Sequence, residues 1–217
     1  MSTAPRRSLE LPPPMETSYL IVGLGNPGAE YAGTRHNAGF LLVERCVEKW
    51  RSDWVDERKF KARVCRVRRE TKTVLVCEPQ TFMNRSGEAV KAVAEYYRVP
   101  GGQILLVVDD ADLPLGGLRL RPGGSSGGHH GLESVQAHLG TPDFARLRIG
   151  IGRSERAVRE ISDHVLGAFS AVEKPLLQKV LERGASQIEA WLDEGVAKAM
   201  NKFNGAIGLI EKTKDTK

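Results

Sequence analysis

The sequence predicts an α/β fold in a single domain. Three observations carry this. Short, wholly apolar runs end in glycine or in carboxylates, stretches with helical spacing lie between them, and the chain is long enough to bury one core. The first run, Tyr-Leu-Ile-Val-Gly at 19–23, is a buried strand whose glycine opens a loop over 24–37, and a helix is predicted over 38–50. Residues 61–67 are half-polar and 74–78 are apolar, the pattern of a hairpin with one strand near an edge and one central. Val90, Val93, Ala94 and Tyr97 share one face of a helix over 87–97, and 104–108 is a second buried strand ending at Asp109 and Asp110. A short strand at 118–120, a glycine-rich loop at 123–128, a helix at 132–139 and a strand at 147–151 follow. Ser170 and Glu173 have the spacing of a capping box. They would open a long helix with Leu177, Val180 or Leu181, Ile188, and Trp191 or Leu192 along its apolar stripe.

The chain has 217 residues, 41% hydrophobic and 27% charged, so one core suffices without a disulfide or metal staple. The domain is expected over 18–206, with 1–17 a disordered leader and 207–217 a charged tail. The prolines at 12–14 oppose the amphipathic helix of an organelle transit peptide, and Met15 is an alternative start. Cys46, Cys65 and Cys77 lack CxxC or Cys/His ligand spacing, so neither a disulfide framework nor a zinc site is indicated, and a cytoplasmic location is expected. No run of 18 apolar residues exists, so no membrane partner is expected. Lys and Arg number 32 against 27 Asp and Glu, a net charge of +5 that suits an anionic partner. Residues 49–72 hold ten cations against four anions, on a strand and its flanks. They either extend an anion-binding surface or keep an edge strand from pairing.

Gly23, Gly25 and Gly28 match GxGxxG after a strand. A dinucleotide fingerprint needs a helix opening at that loop, so that its free N–H groups meet pyrophosphate; here Pro27 removes a donor and polar residues run on to His36. Asn26, inside the turn, is better suited to hydrogen-bond a peptide or a sugar. Ser125 and Ser126 each match GxSxG, the mark of a serine hydrolase, but Arg121 and Pro122 precede the loop instead of an apolar strand. A backbone-donor loop near a polyanion is the competing reading. His36 follows the carboxyl end of the first strand, where open α/β sheets place ligands, and Asp109 ends another buried strand. A carboxylate and an imidazole so placed can act as a general base, although a surface histidine and loop acids remain the plainer reading of each alone.

The stretches LIVGLGNPGAEY (20–31), TRHNAG (34–39), PQTFMNRSGEAV (79–90), DDADLPLG (109–116) and FARLRIGIG (144–152), in this order, resemble the bacterial-type peptidyl-tRNA hydrolase family. The resemblance implies a monomeric α/β domain, its mixed, mostly parallel twisted sheet enclosed by helices, that hydrolyses the ester joining a peptide to tRNA. It implies His36 as catalytic base and Asp109 as the acid that orients it. It also implies Asn26 and Asn84 as amides holding peptide and tRNA 3′ end, with Met83 beside them and Tyr31 lining the cleft. Arg119, Arg121 and Arg148 match positions where cations engage tRNA phosphates. No metal and no cofactor is implied.

One departure stands out. Within GGHHGL (127–132), His130 occupies a place where an asparagine is usual, so it is a substrate-binding candidate whose ring replaces an amide. The departure also admits a second reading, an RNA-binding relative with weakened catalysis, which the retention of Asn26, His36, Asn84 and Asp109 opposes. If the ring weakens the positioning of water or peptide, His130→Asn is expected to raise the single-turnover cleavage rate of an N-blocked aminoacyl-tRNA. An unchanged or lower rate would show a loop adapted to histidine.

Overall fold

The computed structural model describes residues 17–153 and 161–207. In order, the elements are β1 (Thr17–Gly23), α1 (Ala38–Lys49), β2 (Val55–Glu57), β3 (Ala62–Arg69), β4 (Lys72–Pro79), α2 (Ser86–Tyr96) and β5 (Ile104–Asp110). There follow β6 (Gly117–Arg121), α3 (His130–Leu139), β7 (Ala145–Gly150), α4 (Ile161–Leu166), α5 (Lys174–Glu194), α6 (Val196–Phe203) and β8 (Gly205–Ala206). The strands form a single mixed sheet in the order β2-β3-β4-β1-β5-β7-β6-β8. Parallel pairing is confined to the four central strands, β4, β1, β5 and β7. Both flanks are antiparallel, so antiparallel pairings outnumber parallel ones and the balance differs from the expected mostly parallel sheet. The cause is local. On the β2–β4 flank only two residues separate β3 from β4 and four separate β2 from β3, connections too short for the crossover that a parallel neighbour needs.

The apolar runs are uninterrupted because both faces of the central strands are covered. Leu20 and Val22 of β1 pack on the face that carries α2 and α3, whereas Ile21 packs on the face that carries α1 and α5. In β5 the same alternation sends Leu106 and Val108 to the first face and Leu105 and Val107 to the second. The stripe expected on the long helix is buried throughout: Leu177, Val180, Leu181, Ile188, Trp191 and Leu192. Its capping box forms, with Ser170 N donating to Glu173 Oε2 at 2.7 Å and Glu173 N to Ser170 Oγ at 3.4 Å, immediately ahead of α5.

Thr17 already belongs to β1, and Ile207 N donates to Gly116 O at 2.9 Å; the rest of the expected leader and tail lies outside the described residues. Among the described residues no helix is long and apolar enough to cross a membrane, and the three cysteines are free and buried.

Much of the basic 49–72 segment is turned toward acids of the body. Lys49 meets Glu189, Lys61 meets Glu88, Arg63 meets Glu78, and Arg69 meets Asp193, at 2.6, 2.9, 2.9 and 3.2 Å. These pairs join β3 to β4, α1 to α5, and the β3 side of the sheet to α2 and α5, so most of the local excess of cations is spent within the molecule.

One close approach positions the functional end of the sheet. A Cβ on Gly39 would overlap the carbonyl oxygens of Val107 and Leu24, so α1 rests directly on the backbone where β1 and β5 end. Glycine is required there by space. Gly39→Ala is expected to destabilise the fold by about 1–3 kcal/mol, read as a lower urea midpoint at unchanged m-value. An unmoved midpoint would show that helix and strands are not pressed together.

Candidate active site

β1 and β5 are adjacent and parallel, with Gly23 opposite Val107, so the loop after β1 and the end of β5 emerge on the same side of the sheet. His36 lies in a short 3₁₀ turn, Arg35–Asn37, just before α1. Its neighbour Arg35 anchors that turn through Glu173 Oε1 and Oε2, at 2.9 and 2.8 Å, and Ala168 O at 2.7 Å. The imidazole Nδ1 then meets Asp109 Oδ1 at 2.9 Å.

A second imidazole reaches the same oxygen. His129 Nε2 lies 3.1 Å from Asp109 Oδ1, and the two ring centroids are 5.3 Å apart. His129 also caps α3, its Nδ1 accepting from Gly131 N at 3.1 Å and Leu132 N at 3.3 Å. Because Nδ1 is the acceptor, the ring proton sits on Nε2 and is donated to Asp109. Asp109 is 4% exposed. Its burial pushes the carboxyl upward, but the hydrogen bonds from His129 and His36 and their charges outweigh this and hold it well below the ordinary carboxylate range. An ionised Asp109 in turn requires a proton on His36 Nδ1, which leaves Nε2 with a free lone pair.

Asn26 is held as firmly. Its N–H donates to Asn37 Oδ1 at 2.9 Å, and Asn37 Nδ2 donates back to Asn26 O at 3.0 Å. The Asn26 side-chain oxygen accepts from Met83 N at 2.8 Å. The carbonyl half of the Asn26 amide is thus used within the protein, and its NH₂ half has no protein partner among the described residues.

These groups border a cleft of about 490 Å³ lined by Asn26, His36, Asp109, His129, His130 and Arg148, with Ala111, Val165 and Leu166 as its apolar margin. A recess of about 330 Å³ adjoins it, sharing Asp110 and Arg148 and adding Arg119, Arg121 and Arg146. Buried Asp110 binds Arg119 at 2.9 Å and Arg148 at 3.4 Å, so these cations are fixed and partly balanced. Arg146 and Arg148 also hold the glycine-rich loop. Arg146 Nη1 donates to Gly124 O and Ser125 O, and Arg148 Nη2 to Ser125 O and Ser126 O at 2.9 and 3.0 Å. The loop therefore offers the carbonyls of Gly124, Ser125 and Ser126 to the protein.

The structure brings together Asn26, His36, Asp109, His130 and Arg148, with Arg119 and Arg121 in the adjoining recess. The His130 side chain is 75% exposed and pairs with Glu133 at 3.1 Å. Met83 is buried behind Asn26, and Asn84 is exposed on the turn beside it. Tyr31 is half-buried in the turn ahead of His36, its carbonyl accepting from Thr34 N at 3.0 Å. The serine reading finds no base. Ser126 Oγ meets Glu133 and Gly128 N, and neither Ser125 nor Ser126 is bonded to a histidine among the described residues. Three supporting residues escaped sequence reasoning: His129, Asn37 and Arg146. The only signals were adjacency to His130 and His36 and, for Arg146, its place two residues before Arg148 on the same face of β7.

His36, Asp109 and His129 place their ligand-type atoms within 4.8 Å of one another, a set that also suits a metal ion. Both nitrogens already donate to one Asp109 oxygen, so an ion there would have to displace two protons.

Because Asp109 titrates below its ordinary value of 3.8 in the folded protein, the stability it contributes is complete above that pH and is lost as pH falls toward the folded value. The stability gap between the native protein and Asp109→Asn, from urea titrations across a pH series, is expected to be widest above about pH 4 and to narrow in acid. A gap independent of pH would show that the charge does not matter to the fold.

Comparison with known proteins places this geometry. The family model described as peptidyl-tRNA hydrolase matches residues 20–214. A peptidyl-tRNA hydrolase of Synechococcus sp. (strain JA-3-3Ab) is 45% identical over 88% of this chain and 85% of its own length. One from Gloeobacter violaceus is 45% identical over 85% of this chain and 93% of its own. The crystal structure of peptidyl-tRNA hydrolase from Acinetobacter baumannii superposes with a TM-score of 0.80 at 39% identity, covering 88% of this chain and 97% of that one. Sequence, fold and the order of the motifs agree, and the chain belongs to the peptidyl-tRNA hydrolase family.

Proposed function

We propose that the cleft hydrolyses the ester between a peptide and the 3′ end of tRNA, releasing both, with His36 as the general base. The observation that carries this reading is the His36–Asp109 contact of 2.9 Å beside Asn26, whose side-chain oxygen is held by Met83 N and whose NH₂ group is left for a substrate. Asp109 holds the proton on Nδ1, so Nε2 takes a proton from water as the water attacks the ester carbonyl. Asp109 stays ionised and stabilises the imidazolium that forms; His129 positions Asp109 from the other side. The imidazolium then returns the proton to the departing ribose oxygen. An aminoacyl ester is activated enough that a positioned base and hydrogen-bond donors suffice.

The Asn26 NH₂ group, Asn84, Met83 and His130 hold the peptide and the tRNA 3′ end. Arg119, Arg121 and Arg148 take phosphates, and such binding is largely indifferent to tRNA sequence and steeply dependent on salt. The enzyme acts as a monomer in the cytoplasm, on peptidyl-tRNAs released from stalled ribosomes.

His36→Ala is expected to slow hydrolysis of an N-acetyl-aminoacyl-tRNA by about 10²–10⁴-fold while RNA binding persists. Cleavage by that variant at the native rate would overturn the assignment of the base.

A further inference from the structure

Behind the Asn26–Gly28 turn lies a smaller recess of about 140 Å³, and Asn26 lines both it and the cleft. Its charged wall comes from three elements: Glu44 of α1, Arg63 of β3 and Glu78 of β4. Glu78 is 0% exposed. Its Oε2 accepts from Arg63 Nη1 at 2.9 Å, whereas Oε1 is buried without any hydrogen-bond partner. Arg63 also faces Glu44 at 3.8 Å, so one guanidinium serves two carboxylates. A buried carboxylate oxygen without a donor is costly, and with both carboxylates ionised the cluster is one cation short of balance.

We propose that this recess is a subsite for a primary ammonium group of the peptide, a lysine side chain that passes Asn26 and donates to Glu78 Oε1. The inference rests on the reading above that the peptide lies against Asn26. An ammonium on a flexible stem is compact enough for a recess of this size, whereas a planar guanidinium needs more room and a second acceptor edge. Bound lysine supplies the missing charge and the missing donor together.

Protonation gives the subsite a signature that a structural role for Glu78 would not share. Burial first, then Glu44, push the Glu78 carboxyl up to about 8 against the opposing Arg63, and these two are the charged groups that face it in the recess. The lysine ammonium stays charged to about pH 10. It must therefore replace the proton on Glu78, and the preference for lysine is expected to grow as pH rises from about 6.5 to about 8.5.

The test compares kcat/KM for Nα-acetyl-lysyl-tRNA with that for the same tRNA carrying Nα,Nε-diacetyl-lysine, and repeats the pair with the lysine one residue further from the ester. The free amine is expected to be favoured by about ten- to a hundredfold at one of the two positions, the size of a charge-assisted hydrogen bond. The ratio should approach one in Glu78→Gln. Glu44→Gln, on the partly exposed face of α1, should lower it partway and carries the test if Glu78→Gln does not fold. Cleavage of both substrates at a ratio near one in the native protein, or a ratio retained in Glu78→Gln, overturns the subsite and leaves the hydrolase reading standing. Cleavage of neither substrate overturns that reading and the subsite with it.

Discussion

Burying a carboxylate is expensive unless donors come with it, and Asp109 has two that meet at a single oxygen. One imidazole comes from 73 residues earlier in the chain and the other from 20 residues later, so satisfying this one group draws the start of α1 and the start of α3 to the end of β5. The rest of the site depends on that convergence. His36 stands in its place because the turn before α1 must reach Asp109, and α1 can approach so closely because Gly39 has no side chain to hold it off. His129 does two things with two nitrogens: Nδ1 closes the amino end of α3, and the proton this forces onto Nε2 makes it a donor to Asp109. Helix capping and orientation of the acid are one arrangement.

A second polar unit is built in the same manner. Asn37 closes a two-point clamp on the backbone of Asn26, and the Asn26 amide oxygen binds Met83 N, so the β1 loop, the start of α1 and the loop after β4 are locked together. This uses the acceptor of the Asn26 amide and spares its donors. A preorganised NH₂ group beside a histidine of defined tautomer is the kind of geometry that stabilises charge developing on a substrate carbonyl without reorganisation.

Electrostatics are partitioned between the two flanks of the sheet. On the β3 side, Arg63 and Arg69 and the lysines near them reach acids of the same molecule, which staples the sheet to its helices. On the β7 side, Arg146 and Arg148 are enclosed by loop carbonyls and by Asp110, with Arg119 and Arg121 further out in the same recess. The net charge of +5 is thus less informative than its location. The densest run of cations is largely satisfied internally, while the sparser arginines border the cleft.

What the sequence by itself determined is the class of fold, the central strands and the apolar stripe of α5, and it singled out His36, Asp109 and Asn26, which border one cleft. Such features depend on local periodicity and on the ends of buried strands, and both are written in consecutive residues. Only the tertiary structure decided which groups support them. His129, Asn37 and Arg146 act across loops and between elements, at positions where a histidine, an asparagine or an arginine looks ordinary in a linear reading. The antiparallel flanks and the inward pairing of the basic segment were decided there as well. The physical reason is common to all of them: a hydrogen bond or an ion pair needs an approach of about 3 Å, and periodicity along a chain cannot show which distant segments will be packed that closely.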